Sequence, residues 1–269
     1  MERFSIGRFS YLAFVALIFA FVIAPLLVIV WASFFSNRIL SFPPSGYTLS
    51  WFVRAWDLQE FASGFVTSLQ VGTCATLGSL LFGVPASLAI ERFPFPGRET
   101  VRELLLSPMY VPAIVAGAAV YIYFVQVEII SGVQFASTFH GLVIAHTLVA
   151  LPWTMRLVCV SLVTANVASE DAARSLGANA LQTFFLVTLP TIRPGIIAAA
   201  MFAFIASFSD LEKSLFLVGP GQTTLPISIL NYLEWNLDST IAAVATVQIA
   251  IIGAALLISD RFVNIGKAF

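Results

Sequence analysis

Residues 169–190 of the chain read S-E-D-A-A-R-S-L-G-A-N-A-L-Q-T-F-F-L-V-T-L-P. Small, polar and charged residues are frequent in this stretch, whereas the chain on both sides of it is almost continuously apolar. Ser169 is a good helix N-cap, and Glu170 and Asp171 follow in the first turn, where the helix dipole favours negative charge. Gly177 suits a helix C-terminus. The stretch predicts a short exposed helix, a turn and, over residues 181–188, a second helical piece that leads back into apolar sequence.

The chain as a whole is too apolar for a water-soluble protein. Of its 269 residues, 59% are hydrophobic and only 10% are charged, and its mean hydropathy is +0.95. A single soluble core cannot bury that much apolar surface, so lipid must be the solvent for most of the chain. The 13 basic and 14 acidic residues give a net charge of −1, which offers no support for nucleic-acid binding.

Six apolar segments are long enough to cross about 30 Å of hydrocarbon as helices, which satisfy their own backbone polar groups. They are approximately residues 11–34, 65–90, 104–127, 141–163, 191–218 and 240–260. We predict an all-α integral membrane protein in which one transmembrane domain covers residues 1–269 and a polar loop covers residues 164–190. The first segment is far longer than the core of a signal peptide, about 7–15 residues, so we expect it to be a retained helix.

The basic residues of the short loops predict the orientation, because Lys and Arg are retained on the cytoplasmic side. With both termini inside, the cytoplasmic basic residues are Arg3, Arg8, Arg92, Arg98, Arg102, Arg174, Arg193, Arg261 and Lys267. Only Arg38 and Arg54 then lie outside. This bias predicts a multi-pass membrane protein whose residues 164–190 and termini face the cytoplasm.

The polar loop carries a spaced motif. Asp171-Ala172-Ala173 is followed after three residues by Gly177, after nine more by Val187, and then by Thr188 and Leu189-Pro190. This resembles the E-A-A, G, I and L-P motif of binding-protein-dependent ABC importer permeases, with Asp for Glu and Val for Ile. The similarity is greatest to the spermidine/putrescine type and its opine and aminoalkylphosphonate relatives, and it extends from Phe65 to about Ile252. Further matching stretches are L-L-S-P-M-Y-V-P at 105–112, Pro152-Trp153, T-L-P-T-I-R-P-G-I at 188–196, S-F-S-D at 207–210 and G-P-G-Q-T-T-L-P-I-S-I at 219–229.

The resemblance implies the type I permease fold and transport of a small polar solute such as a polyamine or related amine, an amino acid derivative or an organic anion. In such permeases this loop is the coupling helix, which rests in a groove of a cytoplasmic ATPase. The implied ATPase-coupling residues are Glu170, Asp171, Ala172, Ala173, Gly177, Leu189 and Pro190. The implied partners are two ATPase subunits, a second and different permease chain, and an extracytoplasmic substrate-binding protein. The sequence lacks G-x-x-x-x-G-K-[ST], so we expect ATP and Mg²⁺ on the partner ATPase and neither cofactor nor catalysis in this chain.

A transport pathway is predicted where polar residues and prolines interrupt the apolar segments. Ionisable groups at membrane depth are functional hypotheses by default. The candidates are Ser209, Asp210, Glu212 and Lys213 near the end of the fifth segment, and Pro108 and Pro112 in the third. Asp210 and Lys213 are three residues apart, so mutual neutralisation competes with a pathway role. The related polyamine permeases often have S-F-D-D here; Ser209 and Lys213 weaken the case for a bare polycation as the cargo.

Two other function classes remain open from the sequence. An ion-gradient-driven secondary carrier would use Asp210 as its coupling carboxylate and would transport without partners. An intramembrane enzyme would need a Ser–His pair, a His cluster or paired carboxylates, and we identify none. His140 and His146 are six residues apart rather than four, so we predict polar contacts for them instead of a metal site.

Overall fold

The computed structural model describes residues 6–39 and 41–263, a part of the chain that contains helices and two isolated antiparallel bridges but no strand. The first helices are α1 (Ile6–Ala32), α2 (Ser50–Asp57), α3 (Gln59–Arg92), α4 (Arg98–Leu106), α5 (Ala113–Ser131) and α6 (Phe139–Thr164). They are followed by α7 (Val167–Ser175), α8 (Ala180–Thr183), α9 (Leu189–Phe208), α10 (Ser214–Leu217), α11 (Leu225–Trp235) and α12 (Thr240–Val263). A 3₁₀ turn occupies Ser107–Met109, and a π-helical turn occupies Phe184–Thr188.

Six of these segments are long and apolar enough to cross a membrane, as predicted. They are Ser10–Ala32, Gln59–Arg92, Ala113–Ser131, Phe139–Thr164, Ala180–Phe208 and Thr240–Arg261. The all-α fold with six transmembrane helices is therefore confirmed for the described residues.

The third predicted segment, residues 104–127, is not one helix. The chain runs through α4 and the 3₁₀ turn, and α5 begins only at Ala113. Pro108 lies inside the 3₁₀ turn, and Pro112 is the N-cap residue of α5 with a ψ of 129°. A proline has no backbone N–H, so Pro112 is tolerated just before a helix but would break its interior. The predicted start at Leu104 was wrong for this reason.

The fifth predicted segment, residues 191–218, also contains a break. α9 ends at Phe208, and the short helix α10 begins at Ser214. Towards its N-terminus the helical path extends further than predicted, since α8, the π-helical turn and α9 follow one another without a loop from Ala180. The helical path therefore continues from residues 180–188 of the polar loop directly into α9.

Small residues let the central helices approach closely. A Cβ atom added at Gly195 of α9 would meet the side chain of Ser161 in α6, and one added at Gly83 of α3 would lie 2.8 Å from Cγ2 of Thr154. α3 and α6 are further joined by a hydrogen bond of 2.9 Å between the hydroxyls of Ser79 and Thr154. Packing and interhelical hydrogen bonds of this kind hold helices together where lipid removes the hydrophobic driving force.

The contacts divide the chain into two compact units. The first comprises the residues up to Ala62 together with Ile229–Ile252, and the second comprises Ser63–Ser228 with the residues from Gly253 onward. In the first, Trp51 donates its indole N–H to the carbonyl of Phe35 at 2.7 Å. In the second, one apolar cluster is formed by Val71, Phe124, Ala136, Leu142, Ala145 and Leu217. Another is formed by Val84, Val158, Leu162, Ile192 and Ala199.

Much apolar surface remains uncovered within the single chain. None of the hydrophobic window of α1 is buried, and Phe21 in that helix is 78% exposed. Soluble proteins rarely expose continuous apolar surfaces of this length, which mark membrane or protein contacts. The exposed surface of α1 therefore agrees with lipid as the surrounding solvent.

Candidate functional site

The polar loop of residues 164–190 begins with the short helix α7. Its N-cap is Asn166, whose side chain accepts a hydrogen bond from the backbone N–H of Ala168 at 3.0 Å. The prediction of Ser169 as the N-cap was therefore wrong by three residues. Asn166 was overlooked because Asn and Ser are about equally good N-caps, and the acidic residues after Ser169 favoured the later start.

Gly177 ends α7 as predicted. Its φ is +91°, a left-handed conformation that costs glycine little and other residues more. Its N–H donates to the carbonyl of Arg174 at 2.9 Å, and the N–H of Ala178 donates to that of Ala173 at 3.1 Å. These two bonds form a Schellman motif, which satisfies carbonyls at the helix end. A Cβ atom added at Gly177 would meet nothing within 4 Å, so the backbone and not local crowding requires glycine.

The second half of the loop is more regular than the sequence indicated. Asn179 and Gln182 form a reciprocal capping box in which both hydrogen bonds measure 2.9 Å. The predicted helical piece 181–188 is divided into α8 and the π-helical turn. Leu189 is half-buried and Pro190 is exposed in the first turn of α9, where the missing N–H of proline leaves no helix bond unmade.

The predicted coupling residues differ in their exposure. The side chain of Asp171 is 65% exposed, and Leu176 beside the motif is 90% exposed. Ala172 and Gly177 are also exposed, whereas Ala173 is half-buried. The structure thus places an acidic residue, small residues and an apolar side chain on an open surface.

Glu170, in contrast, is buried and faces into the protein. Its carboxylate forms an ion pair with Arg92 at 3.1 Å, and the two side chains are 5% and 11% exposed. Sequence analysis assigned Glu170 to the coupling surface and counted Arg92 only as a basic loop residue. The partners are 78 positions apart, so no local spacing could reveal the pair.

The polar residues between α9 and α10 form the second candidate region. Asp210 accepts hydrogen bonds from the backbone N–H and the Nζ of Lys213, both at 2.9 Å. The side chains of Asp210 and Lys213 are only 3% and 12% exposed. Ser209 and Glu212 are exposed, so these two residues rather than the ion pair present polar atoms at the surface of the chain.

His146 is a buried member of the same region. Its Nδ1 lies 2.8 Å from the hydroxyl of Ser207, and its Nε2 lies 3.1 Å from that of Ser214. The hydroxyl of Ser214 donates its single proton to the carbonyl of Asp210, so the oxygen of Ser214 accepts from Nε2–H of His146. The remaining ring nitrogen, Nδ1, then accepts from the hydroxyl of Ser207. This pattern satisfies a neutral imidazole and agrees with the predicted polar contact. His140, the other histidine, is exposed.

A groove of about 780 Å³ opens beside the middle of α3. Its lining residues are Thr67, Leu69, Gln70, Thr73, Cys74, Phe139, Gly221 and Gln222. None of these carries a formal charge, but hydroxyl and amide groups from α3 face the groove near the helix centre. Sequence analysis overlooked this surface because single Thr and Gln residues do not interrupt an apolar segment. The predicted pathway prolines lie elsewhere, Pro108 half-buried and Pro112 exposed.

No group of three or more His, Cys, Asp and Glu residues that could hold a metal ion occurs in the described part of the chain. Cys74 and Cys159 are both free thiols.

Six membrane-length helices in the described residues, with an exposed polar helix between two of them, define a polytopic membrane protein. Residues 79–265 match the family of binding-protein-dependent transport system inner membrane components, and the chain belongs to this family. It is therefore an ABC importer permease of the inner membrane, and the family resemblance read from the sequence is confirmed.

Individual relatives transport different solutes. The chain is 28% identical over 236 residues to the putrescine transport system permease protein PotI of Escherichia coli K12, covering 87% of this chain and 84% of PotI. It is 30% identical over 211 residues to the molybdenum transport system permease protein ModB of the same strain, covering 74% and 92%. A solved bacterial ABC transporter involved in import of the acidic polysaccharide alginate shares the fold, with a TM-score of 0.70, 17% identity and coverage of 96% and 97%.

Proposed function

We propose that this chain forms part of the translocation pathway of an ATP-driven importer and couples to ATPase subunits through residues 169–190. The observation that carries the proposal is the open surface formed by Asp171, Ala172 and Leu176 on α7, ended by Gly177. Small residues let a partner backbone approach closely, and Leu176 supplies an apolar side chain for a partner groove. ATP and Mg²⁺ belong to that partner, and this chain has no catalytic role.

The complete importer contains two ATPase subunits, a second permease chain and an extracytoplasmic substrate-binding protein. The uncovered apolar surface of α1 supports contacts beyond the single chain. The resemblance to polyamine-type permeases implies pairing with a different permease chain rather than with a second copy. Both termini lie in the cytoplasm, as the basic residues of the loops indicate.

The cargo is a small polar solute. Asp210 and Lys213 neutralise each other, which leaves Glu212 as a single exposed carboxylate in this segment, and one carboxylate gives little preference for a bare polycation. Ser209 and Glu212, together with the uncharged groove beside Gln70 and Thr73, supply hydrogen-bonding groups. This surface suits an amine, an amino acid derivative or an organic anion that a separate binding protein has already selected.

A secondary carrier driven through Asp210 has less support. A coupling carboxylate must bind and release its ion during each cycle, whereas Asp210 is buried, paired with Lys213 and engaged at the start of α10. The family membership likewise favours an ATP-driven system.

Replacing Gly177 with Val tests the proposed coupling role. Val strongly disfavours a φ of +91°, so the end of α7 should rearrange and the ATPase should no longer associate. Gly132, which ends α5 with a φ of +70°, also has nothing within 4 Å of an added Cβ atom and is the matched control. The assay is co-purification of the ATPase with the detergent-solubilised permease. We expect loss with Gly177→Val and retention with Gly132→Val; normal ATPase association of both variants would refute the coupling role.

A further inference from the structure

Arg92 joins the ends of three helices. It is the last residue of α3, and its Nε donates to both carboxylate oxygens of Glu170 at 3.2 Å. Its Nη2 donates to Oε1 of Glu170 at 3.1 Å and to the carbonyl of Leu162 at 3.0 Å. Leu162 lies in the last turn of α6, where carbonyls have no partner within the helix. One guanidinium therefore connects α3, α6 and α7.

Charge, hydrogen bonding and burial all hold this junction in one arrangement. Arg92 lies at the C-terminal ends of α3 and α6, and Glu170 lies in the first turn of α7, so each charge has the sign that the adjacent helix dipole favours. Several hydrogen bonds between a planar guanidinium and a carboxylate fix direction as well as distance. Both side chains are shielded from water, so separating them would leave buried charges without a partner.

The neighbouring ion pairs lack this combination of features. Asp171 and Arg174, both in α7, are 3.6 Å apart, and their side chains are 65% and 56% exposed. Exposed pairs of this kind contribute little. Glu91, the residue before Arg92, pairs with Arg102 of α4 at 2.8 Å. The end of α3 thus carries two adjacent ion pairs, of which the Arg92–Glu170 pair reaches α7.

We propose that the Arg92–Glu170 pair makes α7 and the adjoining ends of α3 and α6 move as one rigid body when the ATPase moves α7. This inference rests on the proposed coupling function and assigns Arg92 and Glu170 as positioning residues for energy transmission. Glu170 does not contact the ATPase; it transfers the displacement of α7 to Arg92 and so to two transmembrane helices. Ion-pair networks and rigid secondary elements of this kind carry energetic coupling between distant sites.

The decisive measurement is the distance between spin labels on α7 and α3. Val167 and Phe82 are exposed positions for the labels, and alanine replaces the native Cys74 and Cys159. Pulsed electron paramagnetic resonance is recorded on the reconstituted importer, first without nucleotide and then trapped with ATP and vanadate. In the otherwise unchanged chain, we expect the same narrow distance distribution in both states. With Glu170→Gln, trapping should shift or split the distribution by about 2 Å or more, the scale of helix shifts in switching proteins, while ATP hydrolysis continues.

Glu91→Gln is the matched control, because it makes the same chemical change in the adjacent ion pair and should leave the distribution unchanged. Arg92→Met, alone and combined with Glu170→Gln, tests whether the two residues act together. The double variant contains no unpaired buried charge. If the two residues act together, its change in spin-label distance on trapping should equal the change in either single variant, not the sum of the two.

The outcomes separate this inference from the proposed function. If the ATPase fails to associate even with the unsubstituted chain, both proposals are wrong. If it associates and Glu170→Gln gives the same distribution as Glu91→Gln, the rigid-body role alone is refuted. Additive shifts of the spin-label distance in the double variant would also refute the rigid-body role. Loss of ATPase association in Glu170→Gln alone would refute it as well, because the ion pair would then serve assembly.

Discussion

At the scale of single residues, several buried charged groups in the described part of the chain are matched by specific neighbours. Asp238, which precedes α12, illustrates this outside the membrane-spanning helices. Its carboxylate accepts hydrogen bonds from the hydroxyl of Tyr232 at 3.0 and 3.1 Å and from the N–H of Thr240 at 3.0 Å. Arg54 lies 3.6 Å away, with a side chain 47% exposed. Burial raises the pKa of Asp238, but the hydrogen bonds from Thr240 and Tyr232 and the charge of Arg54 together hold it below its ordinary value of 3.8.

Asp238→Asn should therefore destabilise the protein in a pH-dependent way. A lowered pKa stabilises the folded state above the ordinary value of 3.8, and this contribution is lost as the pH falls through the lowered pKa. We expect a loss of about 1–3 kcal/mol at pH 7, the cost of replacing a carboxylate that accepts from Tyr232 and Thr240 by an amide with a single acceptor oxygen. Thermal unfolding in detergent between pH 7 and pH 3 measures the difference in stability between the unsubstituted chain and Asp238→Asn. This stability difference should become smaller towards pH 3. The exposed Asp57 provides the control variant Asp57→Asn, and a pH-independent difference for Asp238→Asn would contradict the assignment.

At the scale of helices, close packing depends on where glycine is placed. Gly195 of α9 lies against Ser161 of α6, whereas Gly253 of α12 has nothing within 4 Å of an added Cβ atom. Both are interior positions of apolar helices. The same substitution should therefore have opposite effects at the two sites.

Gly195→Ala should destabilise the protein by about 1–3 kcal/mol, because an extra methyl group overpacks the contact between α6 and α9. Gly253→Ala should instead stabilise it by about 0.5–1 kcal/mol through the higher helix propensity of alanine. Thermal or denaturant unfolding of the purified variants in the same detergent provides both values. Equal changes in the free energy of unfolding for Gly195→Ala and Gly253→Ala would show that the contact with Ser161 leaves room for a methyl group.

The sequence predicted the existence of the helices better than their limits. Apolar runs of sufficient length identified the six membrane-length helices of residues 6–263, and the φ of Gly177 explains why the end of α7 was predictable. The helix break after Phe208 was not predictable from the sequence. Asp210 is hydrogen-bonded to Lys213 at the start of α10, and the mean hydropathy of an apolar segment does not reveal such an interaction. The role of Arg92 depends on a tertiary contact, which only the folded chain reveals.

At the scale of the whole molecule, the membrane determines how the chain is oriented. The basic residues of the short loops predict that residues 164–190 and both termini lie in the cytoplasm. Two of those residues, Arg3 and Lys267, lie outside the described residues. This orientation is a prediction from the charge distribution, and chemical labelling tests it.

Single cysteines at Leu176 and Leu237 provide that test, since both side chains are exposed, at 90% and 74%. A membrane-impermeant maleimide added to intact cells should label Leu237→Cys, whereas Leu176→Cys should react only in inside-out vesicles. Both are made in a chain that lacks Cys74 and Cys159. Labelling of Leu176→Cys in intact cells would reverse the proposed topology.

The Asp210–Lys213 pair has a consequence for the response of the importer to voltage. Moving one elementary charge across a membrane potential of 100 mV involves about 2.3 kcal/mol. Because the negative and positive groups of this pair are 2.9 Å apart and belong to the same short segment, they move together and their electrical work cancels. A displacement of the pair itself therefore carries no net gating charge, whereas the exposed Glu212 between the same two helices would contribute one negative charge to any voltage response.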